Sequence, residues 1–120
     1  MSENLYTYRA IVTRVVDGDT LDLRVDLGMY IFHRVRVRLK GIDTPEVYGV
    51  KKESEEYNAG KLASARAKEL VDGKSVIVKT EKDKTGKYGR YIADILFDDD
   101  DGVTKSLSEV LIQEGLGNVL

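Results

Sequence analysis

The sequence predicts a small five-stranded Greek-key barrel with two helices, an α+β fold of the OB type. Three observations predict it. Short β-branched runs recur between turn residues. One helix pattern divides three strands from two, and a second, shorter helix pattern follows the last strand. Five strands with a helix after the third is the element order of the OB barrel, although a mixed α+β sandwich shares that order.

YRAIVTRVV (8–16) is rich in β-branched residues and reads as the first strand. DGDT (17–20) supplies a turn, since Asp-Gly is a strong turn dipeptide. TLDLRVDL (20–27) alternates apolar and polar residues, the period of a half-buried strand. Gly28 breaks it, and MYIFHRVRVRLKG (29–41) reads as a longer third strand. IDTPEVYGVKKESEEYN (42–58) is polar and irregular, a loop long enough to suggest service to a site. Asn58 is placed to cap a helix over 59–71, in which Ala59, Leu62, Ala63, Arg66, Ala67, Leu70 and Val71 share a face. KSVIVKT (74–80) and YIADILF (91–97) form the last two strands, and DDDDG (98–102) a turn. SLSEVLIQEG (106–115) is a short helix opened by a Ser106–Glu109 capping box. Tyr6 and Tyr8 are expected to pack onto the barrel.

A chain of 120 residues can bury one core without staples, and no repeat, linker or low-complexity tract marks a boundary. Residues 1–120 therefore read as one domain, with 1–5 expected to lie loose at its start. The absence of Cys excludes disulfides and thiolate metal sites. A single His, His33, speaks against a His-based triad and reads as an ordinary strand residue. No apolar run approaches the roughly 18 residues of a membrane span, and the N-terminus lacks a signal-peptide pattern. The expectation is a cytoplasmic protein without a membrane partner, or a secreted one if a leader has been removed. The net charge of −2 calls for no polyanion, yet residues 30–40 hold four cations and no acid.

Asp17 and Asp19 lie in the turn before the second strand, while Asp43 and Glu46 follow the third. If those two strands pair as a hairpin, the second begins where the third ends, and Asp19 meets Asp43. Two carboxylates about 4 Å apart repel by roughly 4 kcal/mol at an effective dielectric near 20. Either one acid holds a proton or a cation sits between them. Carboxylates without thiol or imidazole are hard donors that favour Ca²⁺, Mg²⁺ or Mn²⁺ over Zn²⁺. Each acidic stretch alone is a common turn, so the signal lies in their meeting beside the cationic strand. Arg34 and Arg36 read as a solvated face paired with acids on the neighbouring strand, whereas Arg38 and Lys40 stand nearest the acids. KDKTGKYGR (82–90) is a second basic segment. A metal, arginines that grip phosphate with two donors, and a spare acid such as Glu46 to activate water are what phosphodiester hydrolysis requires.

Taken together, VVDGDTLDL (15–23), RLKGIDTPE (38–46), the helix near 59–71, KYGR (87–90) and LIQEGLGNV (111–119) resemble the staphylococcal-nuclease-like (thermonuclease) domains. The resemblance implies an OB barrel and a Ca²⁺-dependent nuclease acting on DNA, RNA or both with little sequence preference. It matches Asp19 and Asp43 to calcium carboxylates, Thr44 to a backbone-carbonyl ligand and Asp17 to a second-layer acid. Arg38 and Arg90 match the phosphate-gripping arginines, and Glu46 the acid proposed to activate water. Lys87 and Tyr88 match contacts to a terminal phosphate.

Two departures stand out. The hairpin between Thr20 and Arg38 is longer than in the family's secreted prototype. No aromatic follows Phe97, and the prototype's third C-terminal helix is missing. Since stacking contributes about 1–3 kcal/mol per base, weaker substrate binding is expected, with a monomer or weak dimer as the assembly. The competing reading is a non-catalytic OB module that binds single strands or a protein partner. It leaves the acids beside the arginines unexplained.

Overall fold

The computed structural model describes residues 5–45, 54–85 and 90–120, without the side chains of 82–85. Along the chain run β1 (Thr7–Asp17), β2 (Thr20–Asp26), β3 (Phe32–Leu39), β4 (Ile42–Asp43), α1 (Glu55–Val71), β5 (Ser75–Thr85), β6 (Tyr91–Asp98), β7 (Thr104–Ser106), α2 (Leu107–Gln113) and β8 (Asn118–Val119). The main sheet has the order β3-β2-β1-β5-β6-β7. A parallel pairing of β3 with β6 through Val37–Leu39 closes β1, β2, β3, β5 and β6 into a five-stranded barrel. The fold is therefore the OB-type α+β barrel that the element order predicts.

Alternation explains most of the core. Leu21, Leu23 and Val25 point inward from β2, Val37 and Leu39 from β3, and Val76 and Val78 from β5. Each buried aliphatic side chain of this kind contributes about 1.5–3 kcal/mol relative to exposure. In β1 the alternation breaks. Ala10 and Val12 are buried, Thr13 and Arg14 are both exposed, and Val15 and Asp17 are buried again. A register shift between Val12 and Arg14 inserts Thr13 as an extra residue. A bulge of this kind reverses which face the following residues take, and here it turns Asp17 inward.

The third strand is shorter than 29–41. Gly28, Met29 and Tyr30 all adopt left-handed backbone angles (φ 81°, 53° and 60°), making a turn closed by Leu27 N–H to Ile31 O at 2.9 Å. The helix starts earlier than Asn58. Ser54 is its cap, its hydroxyl accepting the Tyr57 N–H at 3.2 Å. Its buried face is Gly60, Ala63, Ser64, Ala67, Leu70 and Val71, so Leu62 points to solvent. Arg66 lies at the rim, where its fork binds Glu114 at 2.7 and 2.9 Å and joins α1 to the end of α2. Ser106 occupies the N-cap position of α2 but its side chain makes no cap hydrogen bond; its hydroxyl donates to Asp94 instead at 2.8 Å. The loop read over 42–58 contains β4, which pairs with β8, and the first turn of α1. Tyr8 packs against the core, whereas Tyr6 is largely exposed. DDDDG turns between β6 and β7, with Asp99 and Asp101 both on Lys105.

Gly18 is required for space. A Cβ there would stand 2.8 Å from the Ala63 Cβ and 3.0 Å from the Thr44 side chain, so the turn is wedged between α1 and the segment after β4. Overpacking at such a point costs about 1–3 kcal/mol. Gly18→Ala is accordingly expected to lower unfolding stability by that amount in urea titration, with the slope unchanged. An unchanged midpoint would show that the wedge is not tight.

Candidate active site

The hairpin register creates the site. Thr20 pairs with Arg38, so the start of β2 and the end of β3 coincide. The Leu39 N–H donates to the Asp19 carbonyl at 2.8 Å, fastening the DGDT turn to the end of β3. The Thr44 N–H then donates to Asp19 Oδ2 at 3.2 Å, which brings the segment after β4 onto the same carboxylate. The Asp43–Asn118 pairing of β4 with β8 holds that segment from the other side.

Arg38 lies between the two acids. Its Nη2 is 3.0 Å from Asp43 Oδ1 and 3.6 Å from Asp19 Oδ2. Both carboxylates therefore reach a single guanidinium nitrogen. The Arg38 Nε is buried without a hydrogen-bond partner among the described residues. Arg90 comes in from the start of β6, its Nη1 donating to the Thr20 hydroxyl at 3.3 Å, while that hydroxyl donates to Asp19 Oδ1 at 3.1 Å. Asp19 is thus reached by Arg38 directly and by Arg90 through Thr20. Asp17 accepts the Asp19 N–H at 3.2 Å from the inner face that the bulge gave it.

Of the sequence-derived candidates, Asp17, Asp19, Arg38, Asp43, Thr44 and Arg90 come together in this way. Glu46, Lys87 and Tyr88 lie outside the described residues. Lys40 turns away and pairs with Glu81. Arg36 is paired with Asp22 on the neighbouring strand, as its reading required, whereas Arg34 faces Arg24 across the strands. Thr20, the link between Asp19 and Arg90, was missed although it is adjacent to Asp19. A cleft of about 390 Å³ beside Asp43 is also lined by Glu55, Glu56 and Asn118. Nothing in their local sequence points to that cleft, because they reach it only through the helix start and the β4–β8 pairing.

Burial raises the Asp17 carboxyl to about 7, helped by its hydrogen bond to Asp19 and by the Asp19 charge. Burial also opposes ionisation of Asp19. There the hydrogen bond from Asp17, the Thr44 N–H, the Arg38 charge and the Thr20 hydroxyl outweigh it, and Asp19 is held below the ordinary carboxylate range. Below about pH 7 the pair therefore holds one proton, carried by Asp17. Both ways of relieving acid repulsion operate: a proton within Asp17–Asp19 and a guanidinium between Asp19 and Asp43.

No group of three or more His, Cys, Asp or Glu side chains is gathered for a metal among the described residues. The site instead offers two carboxylates, Asp19 and Asp43, with the Thr44 carbonyl in the same segment. These are all hard oxygen donors, with one acid kept ionised despite burial, a set that fits an alkaline-earth ion whose shell is completed by water.

Comparison with known proteins follows the same residues. The family model for the staphylococcal nuclease homologue matches residues 36–120, and the chain belongs to that family. Arg38, Asp43, Thr44 and Arg90 fall within the match, while Asp17 and Asp19 precede it. The chain is 34% identical over 90 residues to a thermonuclease of Staphylococcus intermedius, covering 75% of this chain and 49% of that protein. It is 30% identical over 104 residues to endonuclease YhcR of Bacillus subtilis, covering 83% of this chain and 8% of that protein. An uncharacterized protein of Methanocaldococcus jannaschii, MJ1439, is 29% identical over 128 aligned positions, covering 93% of this chain and 59% of that protein. The chain thus spans less than two thirds of the length of each of these relatives.

The acid pair has a consequence for stability. Asp17 titrates at about 7 when folded against an ordinary 3.8, so its contribution is full below pH 4 and is lost as pH rises through 7. Asp19, Asp99, Asp101 and Glu114 are all shifted down. Their contributions are already complete above about pH 5, the ordinary carboxylate range. In EDTA, unfolding free energy should fall between pH 5 and 7.5, and Asp17→Asn should flatten that fall. A rise over this interval in the wild type would contradict the shared proton.

Proposed function

We propose that this chain is a metal-dependent nuclease, with Ca²⁺ as its ion, that hydrolyses phosphodiester bonds of DNA, RNA or both with little sequence preference. The observation that carries the reading is the convergence of Asp19 and Asp43 on Arg38, with Arg90 joined to Asp19 through Thr20. Membership of the staphylococcal nuclease homologue family supports it, as do relatives named thermonuclease and endonuclease.

In this reading Asp19, Asp43 and the Thr44 carbonyl hold the ion, and Asp17 keeps Asp19 oriented. When bound, Ca²⁺ supplies positive charge to the phosphate oxygens and a coordination place for water. Arg38 and Arg90 grip the phosphate and stabilise the charge that grows on it as the bond to water forms. Glu46 orients the attacking water and accepts its proton. The bond from phosphorus to the 5′ oxygen breaks, and the leaving oxygen is protonated from solvent. Lys87 and Tyr88 contact a terminal phosphate. Base edges are not read by any of these groups, so little sequence preference is expected.

Plasmid degradation tests the proposal. Cleavage is expected with Ca²⁺ and absent in EDTA, with Mg²⁺ and Mn²⁺ as comparison ions. Asp43→Ala and Arg90→Ala should each reduce kcat by about 10²–10³, the scale of losing one charge-stabilising group. Full activity in EDTA or in Asp43→Ala would overturn the metal assignment. Glu46→Gln should also lose the acid limb of its pH–rate profile, as removal of a general base does. A lowered rate with the profile intact would instead make Glu46 an organiser of the water.

A further inference from the structure

The far part of the β2–β3 hairpin carries charges and apolar groups that the site does not use. Arg24 and Arg34 face each other directly in the strand register. Like charges placed this way destabilise a sheet. Arg36 is satisfied by Asp22 at 2.7 and 3.1 Å, but neither Arg24 nor Arg34 makes an ion pair among the described residues. Asp26, two residues from Arg24 on β2, makes no ion pair with either among the described residues; its carboxylate accepts the Gly28 N–H at 2.8 Å. The Arg24 guanidinium lies over the Phe32 ring, 4.9 Å from its centre. Beyond this pair the hairpin ends in Leu27, Met29, Tyr30, Ile31 and Phe32, all exposed, with Met29 at 88% and Tyr30 at 98%. Left-handed backbone at Met29 and Tyr30, unfavourable for residues with a Cβ, maintains that display.

We propose that the β2–β3 hairpin is a nucleic-acid-binding arm. Arg24 and Arg34 hold backbone phosphate on its outer face, and the apolar apex packs against bases. The proposal rests on the nuclease reading and extends it to the substrate beyond the cleaved bond. Arg34 is four residues from Arg38, about 13 Å along β3, and Ile31 about 10 Å farther. At 3.4 Å per nucleotide of duplex, the arm follows roughly seven nucleotides from the scissile phosphate.

Three features favour a polyanion over other partners. On the β3 side of the arm the cations Arg34 and Arg36 form a row continuous with Arg38, and residues 30–40 contain no acid. On β2, Asp22 is taken up by Arg36 and Asp26 stands near the apex. A phosphate between Arg24 and Arg34 removes their mutual repulsion and suits two guanidinium forks. Tyr30 and Phe32 offer stacking faces, and Met29, Leu27 and Ile31 are the kinds of side chain that wedge between bases. A second copy of the chain docked edge to edge would bring these arginines closer together. An anionic bilayer would use the apex but not its continuity with Arg38.

The test is fluorescence anisotropy of a labelled 30-nucleotide duplex in EDTA over a range of salt concentrations. Arg24→Ala/Arg34→Ala should reduce the magnitude of the log–log salt slope by about one to two and weaken binding, while Arg24→Lys/Arg34→Lys keeps the slope. Met29→Ser/Tyr30→Ser should weaken binding by roughly tenfold with the slope unchanged. All variants should cleave a dinucleotide substrate, too short to reach the arm, at the wild-type rate. Wild-type affinity and slope in the alanine variant would overturn the arm, and so would apex substitutions that affect only phosphatidylserine vesicle binding or only dimerisation. Because binding is read without cleavage, arm-dependent binding by a protein that never cleaves supports the arm and refutes the nuclease reading alone.

Discussion

Two backbone N–H groups hold the site together. Leu39 donates to the Asp19 carbonyl and Thr44 to its carboxylate, so one residue receives the end of β3 and the segment beyond β4 at once. The barrel explains why the geometry is available. Thr20 can face Arg38 only because β2 and β3 pair along their length, and β6 brings Arg90 to Thr20 because it closes the barrel against β3. α1 and Thr44 flank Gly18 so closely that a side chain there would collide with Ala63 and Thr44.

The arrangement concentrates charge where a small domain pays in stability for it. Asp17 and Asp19 are buried beside each other, and the cluster is relieved by the proton that Asp17 carries below about pH 7 and by Arg38 beside Asp19 and Asp43. Removing one member of such a set leaves the others uncompensated, which is why buried charge clusters are more disrupted by single deletions than by wholesale replacement. A domain selected for stability alone has no need of these acids. Their cost is understandable if a cation and a phosphate complete the neutralisation.

Much of this was legible in the sequence because it follows from periodicity. Alternation located β2 and most of β3, and pairing those strands was enough to bring Asp19 toward Asp43 and Arg38. The inward turn of Asp17 was not legible, since it depends on Thr13 bulging out of β1 and reversing the alternation. The face of α1 was legible at Ala63, Ala67, Leu70 and Val71, but Gly60 and Ser64, which carry no apolar signal, complete its contact surface, and the apolar Leu62 points to solvent. Ser106 satisfied a capping pattern locally while Asp94, distant in the chain, took its hydroxyl. The like-charged Arg24–Arg34 pair became visible only once the register was known, because the turn at Gly28–Ile31 decides which cations meet.

The hairpin has two unlike ends joined by one pair of strands, a packed acidic corner and an exposed apolar apex. The proposed nuclease function rests on the corner, where it requires Asp43 and Arg38 to work as parts of one catalytic unit. A double-mutant cycle on single-turnover cleavage of an oligonucleotide with saturating Ca²⁺ tests that claim most directly. Parts of one unit are grossly non-additive, so Arg38→Ala together with Asp43→Ala is predicted to be no slower than the worse single variant. Losses that multiply, or a wild type that leaves the oligonucleotide intact, would contradict it.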